Sequence, residues 1–335
     1  MSVLESHSMK KSLFTILCTS ALLLPTYASA ETNVILAKNF WKDVTLAKIE
    51  AQLTDPKQAT VISDSDFTPL LYAARYAAPE AVINRLIDAG ADVNRIGHDQ
   101  RTAIFYAAYS GTLDTVNTLL QHQPDLTVRD NSNRSALLFS FYGQKDPAVF
   151  ERLMQMGLSL HDIDGSGRNA ALIAAQRTPA LEVVQFLQQH KVDFSLIDND
   201  GRGIALNAAS RNGNLEVVKA FIGDSDIRDL KDNQGQNALH VAAYRNDNID
   251  IINYLLSAGV EVNALDKQSR NALNIAAVRN SEAVFQRLLE LKIDPNHPDA
   301  QGKTPLLYAT SRDAGSDKKA ASTLAIIKAL VAHKA

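Results

Sequence analysis

The sequence has little that would cross-link the chain, bind metal through thiolates or hold it in a membrane. Its 335 residues include one cysteine, which excludes a disulfide framework and any site built from several cysteines. The 34 lysines and arginines nearly balance the 37 aspartates and glutamates, which argues against a generally basic nucleic-acid binder. Beyond the N-terminal segment, apolar runs are too short to cross a bilayer. With 46% hydrophobic and 21% charged residues, the composition is nevertheless that of a globular protein.

Familiar catalytic motifs are also missing. The sequence contains no H-E-x-x-H, G-x-S-x-G or G-x-x-x-x-G-K-[ST], so we expect no enzyme, no cofactor and no metal site. Residues 165–170 fit the loose form G-x-G-x-x-A, but no strand of a parallel sheet precedes them, which favours a turn. Asp162 and Asp164, like Asp198 and Asp200, faintly resemble calcium ligands. Neither pair lies in a twelve-residue loop ending in Glu, so aspartates that bond their own turns are the favoured interpretation.

The N-terminal segment is organised like a secretory signal peptide. Two lysines precede an apolar run over residues 13–25, and the small-residue motif Ala-Ser-Ala ends at Ala30. We predict cleavage between Ala30 and Glu31, export by the general secretory route and a bacterial periplasmic location, with secretion to the medium as the alternative. Met9, directly before the two lysines, competes with Met1 as the initiator.

A seven-residue pattern recurs along the rest of the chain. Clear copies are T-P-L-L-Y-A-A from Thr68 and N-A-L-H-V-A-A from Asn237. The copies begin at positions 68, 102, 135, 169, 203, 237, 271 and 304, in steps of 33 or 34 residues. A fixed period of this length indicates a stacked repeat array, in which each unit buries its apolar face only against its neighbours.

Each copy predicts two helices and a turn. Thr, Ser or Asn at the first position can cap a helix, and Pro69 and Pro305 suit its first turn. The Ala-Ala pair keeps this first helix thin. Amphipathic runs such as residues 215–222 predict the second helix. Gly90 and Gly259 follow that helix, where a left-handed residue is expected.

Several departures from the pattern carry structural expectations. Gly203 replaces the capping residue in the fifth copy, and Phe141 replaces the second alanine in the third, where we expect the stack to be locally widened. Residues 313–322 add polar sequence between the helices of the last copy. Amphipathic helices over residues 40–53 and 324–333 are predicted to close the two ends of the stack.

These motifs resemble the ankyrin repeat family, whose signature T-P-L-H-x-A they share. The resemblance implies an all-α repeat solenoid of stacked helix-turn-helix ankyrin repeats with β-turn fingers. The predicted divisions are a signal peptide over 1–30, N-terminal capping helices or a divergent repeat over 31–62, and about eight repeats with a C-terminal cap over 63–335.

The resemblance also implies a function. We expect a monomeric, non-enzymatic scaffold that holds a protein partner in its concave groove, binds no nucleic acid and has no stable membrane insertion after signal cleavage. Exported bacterial ankyrin proteins suggest that it protects an envelope or oxidative-stress enzyme, or neutralises a toxin. An effector that binds host proteins is the alternative.

Two rows of arginine recur at fixed positions, which in the ankyrin family line the fingers and the groove. The pre-cap row precedes each copy and comprises Arg101, Arg134, Arg168, Arg202 and Arg270, continued by Lys303. The helix-end row follows the Ala-Ala pairs by two positions and comprises Arg177, Arg211, Arg245 and Arg279. Beside them stand three tyrosines, a residue type favoured at interface hot spots: Tyr109, Tyr142 and Tyr244.

These residues are the candidate partner site, because the guanidinium fork suits carboxylates of an acidic partner. The competing interpretation is that the arginines pair with a parallel acidic row in the same turns. That row is Asp130, Asp164, Asp198, Asp232, Asp266 and Asp299. His240, in the signature's His position, is predicted to be structural.

Overall fold

The structure, a computed structural model, describes residues 33–178, 180–223, 225–312 and 317–333. The predicted signal peptide and the Ala30–Glu31 bond lie outside these residues. Within the described part of the chain every regular element is a helix, so the all-α prediction is confirmed. In the same residues, no helix combines the length and the hydropathy that a bilayer crossing requires.

The helices follow the period of the sequence. The N-terminal end contains short 3₁₀ helices at Val34–Leu36, Lys38–Asp43 and Pro56–Thr60, and the α-helix α1 (Leu46–Gln52). The repeats are the pairs α2 (Pro69–Arg75) and α3 (Glu80–Asp88), α4 (Ala103–Ser110) and α5 (Leu113–Gln121), α6 (Ala136–Ser140) and α7 (Pro147–Gln155), α8 (Ala170–Arg177) and α9 (Leu181–Gln189), α10 (Ile204–Arg211) and α11 (Leu215–Ile222), α12 (Ala238–Arg245) and α13 (Ile249–Ser257), α14 (Ala272–Arg279) and α15 (Glu282–Glu290), and α16 (Pro305–Thr310) and α17 (Asp317–Ala332). A further 3₁₀ turn spans His98–Gln100.

The core runs along the stack because like helices pack on like helices. First helices such as α8, α10, α12 and α14 pack directly on their neighbours. Their Ala-Ala pairs are fully buried, which permits this close approach. Second helices contribute one apolar face each, for example Val217, Val218 and Phe221 of α11. Every internal repeat therefore depends on both neighbours for its buried surface.

The connections between repeats form turns, here called the fingers. Neighbouring fingers are joined by backbone hydrogen bonds. Within one finger Asp164 N–H donates to the carbonyl of Arg168 (2.9 Å), and Gly165 N–H donates to Ser132 of the preceding finger (2.8 Å). Gly167 has φ +76°, and a Cβ there would lie 2.5 Å from Asn199 Oδ1, so glycine is favoured at this position. Asn133 and Ser269 adopt the same left-handed backbone at the equivalent positions of other fingers. The turn predicted over residues 165–170 is confirmed.

The predicted helix caps form at most but not all repeats. Side-chain oxygens accept a backbone N–H at Thr68, Ser135, Asn169, Asn237 and Asn271. Thr102 and Thr304 make no such bond, and Thr102 Oγ1 is buried without a partner in the described residues. A capping residue type is therefore insufficient without the side-chain geometry that brings its oxygen to the helix.

The helix predicted over residues 40–53 is present as two separate helices. A break separates the 3₁₀ helix ending at Asp43 from α1, because Thr45 is extended and its Oγ1 caps α1 by accepting Lys48 N–H (3.3 Å). Trp41 closes this end of the core, since its Nε1–H donates to the carbonyl of Ile35 (2.9 Å) and the ring is 1% exposed.

At the other end the closing helix begins earlier than predicted. Helix α17 starts at Asp317 instead of 324, so part of the polar sequence in 313–322 is helical. Residues 313–316 lie outside the described residues. Alanine and lysine at positions 318–321 are good helix formers, which explains the extension.

The third repeat is locally widened, as predicted. Helix α6 stops at Ser140, and it contacts α8 much less closely than other neighbouring first helices contact each other. Phe141 is fully buried and stacks on Phe150 (ring centroids 4.3 Å), which in turn meets Phe186 of the next repeat (5.2 Å). A ring in place of a methyl group requires this extra space.

Candidate functional site

The arginines of the pre-cap row bind buried aspartates of the fingers. The receiving carboxylates are fully buried. With nitrogen–oxygen distances of 2.7 to 3.1 Å, the ion pairs are Arg101–Asp130, Arg134–Asp130, Arg168–Asp164, Arg202–Asp232 and Arg270–Asp266. For this row the competing interpretation is therefore correct: its arginines pair with the acidic residues of the turns.

The pairing favours the charged forms of Asp130, Arg134 and Arg168. Burial alone would raise the pKa of Asp130, but hydrogen bonds from the side chain and backbone of Arg134 outweigh it and hold that pKa below its usual value. Burial would lower the pKa of Arg168, and the hydrogen bond to Asp164 reverses the effect. The same carboxylates also hold their own turns, since Asp164 Oδ1 accepts the N–H groups of Ser166 and Arg168. The pre-cap row thus stabilises the fingers.

The helix-end row is arranged differently. Arg177, Arg211, Arg245 and Arg279 are the last residues of α8, α10, α12 and α14. In the described part of the chain none of them has a carboxylate oxygen within ion-pairing distance, 4.0 Å. All four line one groove of about 640 Å³, together with Asp247, Asn280 and Ser281.

These arginines influence one another. Partial burial lowers the pKa of Arg245, and the charges of Arg279 and Arg177 lower it further. Like charges in reach of each other raise the free energy of the charged state. The groove therefore has a positive potential, because no carboxylate of the described residues pairs with these four arginines.

A second hollow connects the two rows. It has a volume of about 160 Å³ and shares Arg211 and Arg245 with the first groove, while Arg168, Arg202 and Tyr244 line its other side. We call the two hollows together the basic groove. It brings the helix-end row together with the central part of the pre-cap row.

The three predicted tyrosines occupy different positions. Tyr244 lines the basic groove, is 38% exposed and has the Arg245 guanidinium 5.0 Å from its ring centroid. Tyr142 accepts a hydrogen bond from Arg168 (2.8 Å) and lies 5.9 Å from the Arg177 guanidinium. Tyr109 packs on Phe139 with ring centroids 5.3 Å apart, and it does not line either hollow.

Sequence reasoning missed a fifth arginine of the helix-end row. Arg312 lies eight residues after the start of the last copy, the same offset as Arg177 and Arg279 in theirs. Its Nη2 donates to the backbone carbonyl of Asn280 (2.9 Å), and burial lowers its pKa. The constant offset was the signal that could have identified it.

Sequence reasoning also missed the buried amides that fix the arginines in place. Asn212, Asn246 and Asn280 directly follow Arg211, Arg245 and Arg279. Asn246 Nδ2 donates to the carbonyls of Ala209 (2.9 Å) and Asn212 (3.0 Å) in the preceding repeat. Each amide connects the end of one first helix to the end of the previous first helix. The arginine directly before each amide therefore takes an equivalent position in every unit.

His240 is structural, as predicted. Its Nδ1 belongs to the capping box with Asn237, and its Nε2 lies 3.0 Å from the carbonyl oxygen of Arg270 in the next finger. Burial lowers its pKa, which favours the neutral ring. Asn274 makes the equivalent capping box in α14.

Comparison with known proteins identifies the repeats. A family model described as ankyrin repeats (3 copies) matches residues 42–130, 171–266 and 239–334. The stretch between the first and second matches, 131–170, contains the third repeat with Phe141. No curated protein matches the chain.

Proposed function

The chain belongs to the ankyrin repeat family, whose repeats are protein-interaction modules, and we propose that it is a non-enzymatic scaffold that holds a protein partner in the basic groove. The helix-end row carries this proposal. Its four arginines face one groove without an acidic partner of their own in the described residues, whereas the pre-cap arginines are paired. A few arginine and tyrosine side chains commonly supply most of the affinity of such a surface.

The proposed location is the bacterial periplasm. The lysines, apolar run and Ala-Ser-Ala motif at the N-terminus support export, with Glu31 as the first residue of the exported protein. A role in protecting an envelope enzyme or neutralising a toxin fits that location. Cell fractionation tests it: the protein should follow a periplasmic marker, and mass spectrometry should find Glu31 at its N-terminus. Protein in the medium, with the marker retained in the cells, would favour a secreted effector.

Crosslinking pull-down from intact cells tests the binding function. The bait is the wild-type chain or a variant with Arg177→Glu, Arg211→Glu and Arg245→Glu. A matched control carries the same charge change on exposed lysines away from the basic groove, Lys191→Glu, Lys231→Glu and Lys292→Glu. We expect an envelope protein that is captured by the wild type and the control and lost from the groove variant.

The outcomes separate the two parts of the proposal. A partner retained by the groove variant would keep the scaffold function and remove the arginines from the contact. Background proteins alone with every bait would contradict a periplasmic binding function.

A further inference from the structure

The helix-end row recurs at a regular interval along the stack. Arg177, Arg211, Arg245 and Arg279 end four successive first helices, and these helices pack directly on one another. Directly packed helices lie about 10 Å apart. The backbone positions that carry the four arginines therefore recur in steps of about 10 Å, along about 30 Å of groove.

The interaction of these arginines with their own helices does not explain the row. A cation at a helix C-terminus is stabilised by the helix dipole, and this stabilisation is available to each arginine separately. The dipole does not explain why four arginines share one groove. In that groove burial and the charges of Arg279 and Arg177 disfavour the charged form of Arg245. The same chain places a buried aspartate against each pre-cap arginine. The helix-end row has no such aspartates among the described residues. Negative charge from a bound partner would balance its arginines in the same way.

We propose that the basic groove binds an acidic segment of the protein partner in extended conformation, with a carboxylate at every third residue. This rests on the proposed function, because it takes the partner to be a protein. An extended chain advances about 3.3 Å per residue, so three residues match one step of the row. The planar fork of arginine binds a carboxylate through two parallel hydrogen bonds, and Tyr244 offers an exposed ring beside Arg245.

Nucleic acid fits the row less well. A DNA strand carries a phosphate about every 3.4 Å of helix axis, about three times the density of the arginines. Asp247 lines the groove beside the arginines, and Asp200 lines the adjoining hollow. These carboxylates would repel the surplus phosphates, whereas carboxylates spaced to match the arginines would avoid them.

Two labelled peptides of identical composition test the spacing. One carries four glutamates at every third position, the other carries the four glutamates contiguously, and small polar residues fill both. Fluorescence anisotropy with the purified full chain measures their affinities. We expect the spaced peptide to bind about tenfold more tightly, and its affinity to fall as salt approaches about 0.15 M, where exposed charges are screened.

Matched variants test the residues. Arg211→Gln with Arg245→Gln should weaken binding of the spaced peptide about tenfold, while Lys191→Gln with Lys292→Gln should leave it unchanged. Both pairs alter side chains at the surface, and circular dichroism checks that each variant folds like the wild type. Equal affinity for the two peptides, or an unchanged affinity in the arginine variant, would overturn the proposal.

Two further results distinguish this inference from the proposed function. Single-stranded DNA binding more tightly than the spaced peptide at equal charge would overturn the assignment to an acidic protein segment. A partner captured in cells by a chain that binds neither peptide would refute the acidic segment and leave the scaffold function standing. Peptide binding without a cellular partner would support the groove chemistry and contradict the periplasmic scaffold.

Discussion

The two halves of the solenoid are joined by different kinds of contact. In residues 33–168, here the aromatic half, rings join most successive units, and one buried amide, Gln144 Nε2, donates to the carbonyls of Ala108 (3.3 Å) and Gly111 (3.0 Å). Phe67 meets Tyr106 of the next repeat with ring centroids 5.0 Å apart, and Phe105 meets Phe139 at 6.1 Å. The guanidinium of Arg101 lies 4.1 Å from the centroid of Phe139. Arginine in this half is part of the packing between repeats.

In residues 169–312, here the amide half, buried asparagines make the equivalent connections. Asn212 Nδ2 donates to the carbonyls of Ala175 (3.0 Å) and Thr178 (2.8 Å), and Asn246 and Asn280 repeat the arrangement one and two units later. In these bonds a buried asparagine side chain donates to backbone carbonyls of the preceding repeat. They do not involve the side chains of the preceding arginines, which have no carboxylate partner among the described residues.

The comparison explains why the basic groove lies where it does. The positions equivalent to Arg177 and its row in the aromatic half are Tyr76, Ser110 and Gly143. In that half the repeats are joined through their aromatic and arginine side chains, which are then unavailable to a partner. In the amide half the joining groups are buried, so the surface arginines are free to bind. Separate groups therefore perform stacking and recognition.

The largest effect is expected from Asp130→Ala in the aromatic half. The substitution leaves the buried Arg134 without its carboxylate and leaves the half-buried Arg101 with Asp99 alone. It also removes the acceptor for the N–H of Ser132. Removing one member of a buried pair costs about 3 kcal/mol or more. Urea unfolding followed by the fluorescence of Trp41, the single tryptophan, measures the loss.

Asp88→Ala provides the control for that experiment. Asp88 is exposed at the end of α3, so its replacement should change the free energy of unfolding by less than about 0.5 kcal/mol. A loss below about 1 kcal/mol for Asp130→Ala would show that the pair does not join the aromatic half.

Asn246→Ala should destabilise the amide half by about 2 kcal/mol, because the carbonyls of Ala209 and Asn212 lose a buried donor. In a repeat array each unit contacts only its neighbours. The helical signal by circular dichroism should therefore shift to lower urea more than the fluorescence of Trp41, which lies in the other half.

The exposed Asn263 is the matched control, and Asn263→Ala should move neither signal by more than about 0.5 kcal/mol. Equal shifts of both signals in Asn246→Ala would mean that the two halves unfold as one unit. That result would show that the different contacts in the two halves do not give the halves separate stabilities.

Protonation of His240 should weaken the amide half at mildly acidic pH. Its pKa in the folded protein lies below the unperturbed value of about 6.5 because the ring is buried. Below pH 6.5 the unfolded chain therefore binds a proton that the folded chain resists. Stability is fully present above about pH 6.5 and declines as the pH falls towards the folded pKa, by at most about 1.4 kcal/mol per pH unit.

His240→Asn is the control, because Asn274 makes the same capping box one repeat later without titrating in this range. Urea unfolding between pH 7 and pH 5 should lose its His240-dependent slope in this variant. Asp232, Asp266 and Arg270 lie near the ring. The pKa of Asp266 is lowered, since hydrogen bonds from Arg270 outweigh its burial, so Asp266 remains charged throughout. An identical slope in wild type and variant would contradict the assignment.

The sequence predicted the fold closely but the site only in part. The period and the Ala-Ala pairs specify which helices stack, because small residues at a constant spacing leave few other ways to bury the apolar faces. Pairing was harder to foresee. Arg168 reaches back to Asp164, whereas Arg202 reaches forward to Asp232, and the same spacing in sequence permits both. Side-chain direction decides between them, and it depends on packing.

The buried amides were missed for a related reason. Asn246, between an arginine and an aspartate, reads as a surface loop, although it is 1% exposed. Its burial follows from the approach of the preceding repeat, whose free helix-end carbonyls need donors. Such a requirement is visible only when two units are placed together.

The smallest expected effect is a stabilisation by Gly203→Asn at the start of α10, which carries Arg211. Gly203 has φ −78° and makes no side-chain cap, while Asn169, Asn237 and Asn271 cap the equivalent helices. A Cβ at this position meets no atom within 4 Å. An asparagine should therefore add a few tenths of a kcal/mol through the cap and up to about 1 kcal/mol when the lost flexibility of the unfolded chain is included.

Gly203→Ala separates these two contributions, because it restricts the unfolded chain without adding a cap. Thermal unfolding should rank asparagine above alanine above glycine, and equal midpoints for alanine and asparagine would show that no cap forms. The affinity for the spaced acidic peptide should be the same in all three proteins. Arg211 is positioned by Asn212 at the end of α10 rather than by the residue that begins the helix, so the start of α10 can be stabilised without altering recognition.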